Sequence, residues 1–596
     1  MFVHRRSPAY LLLGAAGIIA GCGGGGSQNP AAVGNYVPPA GKTPAMSSAK
    51  LTVTIPARGS ASVRRKPQWI SPTSTTLGVR VVPVPAPAPT PTEQVFTLPS
   101  PGPAPTATTL TVAAPAGTDT FIATAYDGSA NALATGQTNA TITLSATNNL
   151  SLTMLGVASG VVFTVNGSST PAAWRVLTNL GANQTASVSA APVDADNNLI
   201  PGNLAAPAPV NGTGGVQLSA PTITTATTLT ATYPQGTNAQ GTITAPLALN
   251  AGPSPLNVAV NADSYIFALN NDNTLQVIDV LTHAQVGSTL AGVGSSQMAA
   301  VSGCNTGAFA VDGNGTTADV VTVPAPTVAN PTPPPAIAAF APALVTANPI
   351  WYGVTGDNAC NLYYNVNTGG YPLAKFSGFD SVVTAIPAFG TGMNISGWLY
   401  FTAGQVGVGN FQNGSSSVNS LYVPSSTGGA AVSSASFSVS PDSVNVGGVA
   451  HSALAVYLVT DLCTGQPNLQ NASGGPSITL SEFAAGGGCC SPTAAVQGAA
   501  QANDGTMYVV GLNTSLVNVM AYAPVATIGN AATPTVALGG PPYDVQVTSD
   551  QQFVCVLEPA GSGGQIEIFK RLPAPSLVAT VPLSSTANPN SFSIGP

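Results

Sequence analysis

Between Pro255 and Leu290 apolar and polar positions alternate in short bursts, PLNVAVNADSYIFALNNDNTLQVIDVLTHAQVGSTL. An Asp-Ser turn, an Asn-Asp-Asn turn and a Leu-Thr-His-Ala turn separate the bursts, which predicts four short β-strands. Looser copies restart about every 48 residues. They read PLNVAVNADSYIFAL from Pro255, SSQMAAVSGCNTGAFAV from Ser295, NPIWYGVTGDNACNLYY from Asn348 and MNISGWLYF from Met393. SVNVGGVAHSALAVYLV from Ser443, TAAVQGAAQANDGTMYVV from Thr493 and PPYDVQVTSDQQFVCVL from Pro541 follow. A Pro-rich insert, Pro324 to Pro335, interrupts the second unit.

Seven units of four strands are the sequence sign of a β-propeller, in which radial repetition leaves only short, protected edges. The tail PNSFSI, Pro589 to Ile594, is expected to close the ring by pairing with the first blade, or else to open an eighth. Upstream, LTVTI (Leu51 to Ile55), TLGVRVVPV (Thr76 to Val84), TTLTVAA, DTFIATAYD (Asp119 to Asp127), NATITLSA and NLSLTMLG alternate as strands with one buried face. Nine prolines between Pro83 and Pro105 predict an edge strand and a long loop there. The chain is therefore expected to be all-β: a sandwich over 49–156, a second over 157–250, and a seven-bladed propeller over 251–596.

Two resemblances give these regions a character. APAGTDTFIATAYD, from Ala114, and ASVSAAPVDADNNLIPG, Ala186 to Gly202, are similar to segments of bacterial Ig-like sandwiches. The first and last propeller units resemble YVTN and lactonase-like repeats, in which a polar turn bearing Asp precedes a second strand. Asp263, Asp504 and Asp550 hold that turn position, and TLQVID (Thr274 to Asp279) and QIEIF (Gln565 to Phe569) are the matching third strands. The resemblance implies a fold more than an activity.

At the N-terminus, Arg5 and Arg6 precede the apolar run LLLGAAGIIAG, which is too short to span a bilayer but suits a secretory signal. The run ends in Ile19-Ala20-Gly21-Cys22, which resembles the lipobox of bacterial lipoproteins. That implies a signal peptide over 1–21, lipidation of Cys22 and membrane attachment through lipid. Gly23 after the cysteine resembles lipoproteins sorted to the outer membrane. Residues 22–48, rich in Gly, Ser, Pro and Ala, form the expected flexible tether.

Charge narrows the function classes. Asp, Glu, Lys and Arg make up 6% of 596 residues, against about 25% in ordinary soluble proteins. Nine of the thirteen basic residues lie in the first 80 positions, which hold no carboxylate; the remainder carries four basic and twenty acidic residues. Nucleic-acid binding by that body is excluded for want of phosphate-neutralising cations.

Candidate chemistry is sparse. Six cysteines follow Cys22, an even number in an exported chain, so disulfides are expected among Cys304, Cys360, Cys463, Cys489 and Cys490. The favoured pairings are 304 with 360, and 463 with 489 or 490, with Cys555 a possible buried free thiol. His283 and His451 stand about 170 residues apart and read as turn residues. Asp194, Asp196 and Asn198 fit the first calcium-loop spacings, but Leu199 replaces the Gly and Ala205 the bidentate Glu, leaving a hairpin turn. DGNGTTAD, Asp312 to Asp319, reads as a Gly-rich turn. No nucleophile elbow, P-loop or dinucleotide fingerprint is present.

No catalytic residue, cofactor or metal is expected. The favoured reading is a monomeric, non-catalytic envelope protein that displays its propeller to a protein or glycan ligand. The alternative is a propeller hydrolase, lactonase-like or carbohydrate-acting. Asp, Glu, His or Asn converging on the central channel would favour the hydrolase; Ser, Ala and Val there would favour the binder.

Overall fold

A computed structural model describes residues 45–55, 70–84, 91–101, 106–167, 173–178, 183–247, 258–293, 496–530, 532–559, 563–583 and 589–595. Between 300 and 484 it describes mainly strand backbones. The expected signal peptide, Cys22 and residues 22–44 of the expected tether lie outside the described residues, which contain no helix. Met46 to Ser48, expected in the tether, already pair with Pro115 to Ala113, so the first sheet begins there.

The N-terminal strands form two pairs of sheets. Thr106–Pro115, Met46–Ile55 and Asn148–Leu150 make a three-stranded sheet; Gln94–Thr97, Thr76–Pro83, Gly117–Tyr126, Ala132–Ile142 and Leu155–Gly156 make a five-stranded one. Period-two alternation explains their pairing face to face: Leu110, Val112 and Ala114 of one sheet and Phe121, Ala123 and Ala125 of the other are buried in one apolar cluster. The proline-rich region supplies the edge strand Gln94–Thr97, where Val95 faces solvent.

In the second pair, Gln217–Leu218, Thr227–Tyr233, Gln184–Val193 and Gly160–Val165 form one sheet. Ala173–Leu177, Val258–Asp263, Gly241–Thr244 and Asn211–Gly212 form the other. The sequence reading placed Val258–Asp263 as the opening strand of the first propeller unit. It instead lies parallel to Ala173–Leu177, with Trp174 opposite Val260, and antiparallel to Gly241–Thr244. Val258, Val260 and Ala262 fill the same cluster as Trp174, Val176 and Ile243, so this strand completes the N-terminal core.

The two pairs meet tightly. A Cβ on Gly156 would come within 2.3 Å of the Ile200 side chain. The buried Asp194 carboxylate accepts the Ser71 hydroxyl and the amides of Asp196 and Asn198. The suspected calcium loop is thus a hairpin turn whose carboxylate is used across the junction.

From Tyr265 onward the strands form successive antiparallel meanders. Tyr265–Asn270 and Thr274–Asp279 begin the first, with Ala284–Gln285 and Leu290–Ala291 outside them. Ala300–Cys304, Val354–Gly356, Leu399–Thr402, Ser443–Ser452, Val496–Gln501 and Asp544–Val547 open the following sheets. The missing inner strand of the first sheet is Pro589–Gly595, antiparallel to Tyr265–Asn270 with Phe267 opposite Ser593. Opening strands adjoin one another: Pro589–Gly595 lies beside both Ala300–Cys304 and Asp544–Val547, and Val496–Gln501 beside Ser443–Ser452 and Asp544–Val547. Meanders arranged radially about their opening strands make a β-propeller.

Each described blade is buried on both faces. Leu557, Ile566 and Ile568 pack toward Ile266 and Ile278 of the first blade, while Val554, Val556 and Phe569 pack toward Tyr508, Val510 and Met520 of the preceding one. The Gln546 side chain fastens the closing strand from its second side, donating to the Phe592 carbonyl and accepting the Ile594 amide.

Candidate functional site

A four-stranded meander has two ends. The first-to-second and third-to-fourth connections share one; the second-to-third connection and the passage to the next blade share the other. The polar residues of the propeller divide between these two ends.

The first end is attached to the N-terminal sheets. Asp263 Oδ1 accepts the amides of Ser264 and Leu281, capping its turn, and Oδ2 accepts Arg175 from the strand Ala173–Leu177. Arg175 also donates to Asp279, whose other oxygen takes the amides of Leu281 and Thr282. The guanidinium lies 5.9 Å from the centre of the Tyr265 ring. Both carboxylates are almost wholly buried. Burial, then the charge of Asp279, pushes Asp263 up to about 7, while Arg175 is held firmly protonated by the pair despite its burial.

Asp504 and Asp550 repeat the dual use. Asp550 caps its turn through Thr548 and the Gln552 amide and accepts Gln240 of the N-terminal sheets at 2.9 Å. Asp504 takes the Thr506 amide and the buried Arg571 of the next blade. Burial opposes its ionisation, but the Arg571 bond prevails and holds it below the ordinary carboxylate range. His283, at the same end, sets its ring edge-on to Phe553, with centroids 6.0 Å apart.

The opposite end carries the candidate site. Its loops expose Leu516, Val517 and Tyr543. On the opening strands nearby, the half-buried polar positions are Gln497, Asp544, Gln546 and Ser593. Asp544 keeps an accessible edge yet is enclosed by protein, which pushes its carboxyl up to about 7 against the hydrogen bonds from the Val545 amide and Gln546.

Beneath the loop Gly539–Gly540 lie two further carboxyls. Glu558, at the end of Phe553–Pro559, and Glu567, on Gly564–Lys570, share one face of the blade and are 1% and 4% exposed. Gln565 donates to Glu558 Oε2 at 2.7 Å, and the Gly539 amide donates to Glu567 Oε1 at 3.3 Å. Glu558 Oε1 and Glu567 Oε2 have no donor. Burial first, then the charge of Glu567, pushes Glu558 up to about 8, so it is protonated at neutral pH.

No family model and no curated protein matches the chain. Solved structures do align with it. A candidate 6-phosphogluconolactonase from Bacteroides uniformis aligns over 56% of this chain and 99% of its own, with 13% identity and a TM-score of 0.35. Apo AztD from Citrobacter koseri covers 56% and 98%, with 11% identity and a TM-score of 0.33. A chain of the nidogen/laminin complex covers 56% and 98%, with 8% identity and a TM-score of 0.32. With scores below 0.5, the fold stands on the strand pairing.

Of the residues singled out in sequence, Asp263, Asp504 and Asp550 come to one end of the propeller, though each serves a different partner. Cys304 ends the strand Ala300–Cys304, described in backbone only; Cys360, Cys463, Cys489 and Cys490 lie outside the described residues. Cys555 is a buried free thiol. His451 falls within the strand Ser443–Ser452, opposite Val456, and not in a turn. Residues 312–317 of the Gly-rich segment lie outside the described residues, and among those described no cluster of His, Cys, Asp and Glu could hold a metal. Sequence reasoning missed Arg175, Gln240, Glu558 and Glu567. Alternation puts Glu567 on the polar face of Ile-Glu-Ile, but a blade covered on both sides has no polar face.

Proposed function

We propose that the chain is an exported, lipid-anchored bacterial envelope protein that presents a seven-bladed propeller, on two Ig-like sandwich spacers, to a protein or glycan ligand. The propeller would occupy the chain from Tyr265, with the spacers over 46–156 and 157–263 and the tether over 22–45. Lipidation of Cys22 would attach it to the membrane, at the outer membrane by the residue that follows, as a monomer.

One observation carries the display reading: Arg175 with Asp263 and Asp279, and Gln240 with Asp550, tie one end of the propeller to the N-terminal sheets. The other end is then left free of the N-terminal sheets. Among the residues described with side chains, its opening strands offer Gln497, Gln546, Ser593 and one carboxyl, Asp544, a lining that supports binding over hydrolysis. Asp544 keeps the hydrolase, lactonase-like or carbohydrate-acting, as the second reading.

Replacing Cys22 by Ser should move the protein from membrane to soluble fraction; retention on the membrane would refute lipid attachment. The same soluble variant, offered glycan arrays and a lactone-ester panel, should bind without turnover. Turnover abolished by Asp544→Asn would establish the hydrolase instead.

A further inference from the structure

We propose that Glu558 and Glu567 hold one proton between them and use it to fasten the loop Leu538–Tyr543 to the free end of the propeller, so that the loop opens more readily as the medium becomes less acidic. The two carboxyls sit in the seam between the last two blades, and each has a nearly inaccessible oxygen that meets no donor. Two carboxylates in that position would leave two buried charges and two unsatisfied acceptors, an arrangement that a shared proton resolves. The remaining oxygens are taken by Gln565 and the Gly539 amide, and the Gly540 amide also reaches Glu558.

Two glycines let the loop lie this close without pressing on the carboxyls. A Cβ at position 539 would stand 2.7 Å from Glu567 Oε1, and one at 540 would stand 3.1 Å from Glu558 Oε2. The pair therefore holds the loop by its amides. The same loop leads to Tyr543, whose side chain is exposed, and to Asp544 on the opening strand. The other ionisable groups on the loop side are Tyr543 and Asp544, which follow directly in the chain; Tyr508 in the neighbouring blade faces Arg571 and Asp504 toward the other end.

The sign follows from where the proton resides. With the loop closed, burial pushes Glu558 up to about 8; opening the loop would admit water and let it fall back toward its ordinary 4.5. Between those values the closed form binds the extra proton, so opening becomes easier as pH rises, by up to about tenfold per pH unit. Above about 8 the dependence ends.

Hydrogen exchange of the peptide spanning Leu538–Tyr543 in the full chain, corrected for intrinsic rates, tests this between pH 5 and 8. The wild type should show a rising opening constant. Glu558→Gln, which donates permanently to Glu567, should flatten it, and Glu567→Gln should end the rise at lower pH. A protonated-carboxyl infrared band persisting at pH 7 in the wild type should vanish above pH 8. A flat wild-type profile, or the same rise in Glu558→Gln, would overturn the proposal. So would protection by millimolar calcium at pH 8 that Glu558→Gln abolishes, because a metal ion would then replace the proton.

Discussion

Arg175 shows what a scarce charge can do. Its guanidinium joins a strand of the N-terminal sheets to two carboxylates in the first blade, and all three groups are sheltered from water. Removing it leaves Asp263 and Asp279 buried and facing each other, the situation that makes breaking a buried pair cost roughly 3–5 kcal/mol. Arg175→Met is therefore expected to lower the denaturation midpoint strongly, and adding Asp263→Asn and Asp279→Asn should restore much of it. Urea unfolding followed by tryptophan fluorescence would report both, since Trp174 adjoins the site. Asp263 was readable in sequence as a recurrent turn residue because side-chain capping is local chemistry. Its arginine stands 88 positions away, and nothing local announces it.

At the level of elements, period-two alternation made most strands readable, in the N-terminal sheets and the blades alike. What alternation cannot say is which sheet receives a strand. Val258–Asp263 has the same pattern whether it opens a blade or completes the preceding core, and only its partners Ala173–Leu177 and Gly241–Thr244 decide. The first blade then needs an inner strand from elsewhere, and Pro589–Gly595 supplies it. Ending the chain after residue 588 should expose the edge of Tyr265–Asn270 and the side chains that pack on Phe592. Limited proteolysis is expected to degrade the propeller of that variant while sparing a fragment near residues 45–263. Gln546→Leu, which removes both side-chain bonds to the closing strand, should cost about 1–3 kcal/mol and sensitise the propeller less severely.

Across the whole molecule, the raised carboxyls act in one direction. Burial pushes Asp263 and Asp544 up to about 7, and Glu558 up to about 8, from ordinary values of 3.8 and 4.5. In that interval the folded chain holds protons that the unfolded chain has released, so stability falls as pH rises. Acidification also relieves repulsion among the many carboxylates beyond residue 80. The thermal midpoint is therefore expected to be higher at pH 5 than at pH 8, with Glu558→Gln reducing the difference. A midpoint that climbs from pH 5 to pH 8 would contradict the burial argument. Composition alone showed the acidic excess, but it could not show which carboxyls are inside.

The closing strand also sets a timetable. Roughly 300 residues separate the outermost strand of the first blade, Leu290–Ala291, from its innermost, Pro589–Gly595. A chain emerging N-terminus first can complete the core around Val258–Asp263 early, while the first blade waits for nearly the whole remainder to appear. Contacts so distant in sequence form slowly, and incomplete blades meanwhile leave apolar faces and strand edges uncovered. The propeller thus passes through a longer stage with uncovered faces than the spacer that precedes it.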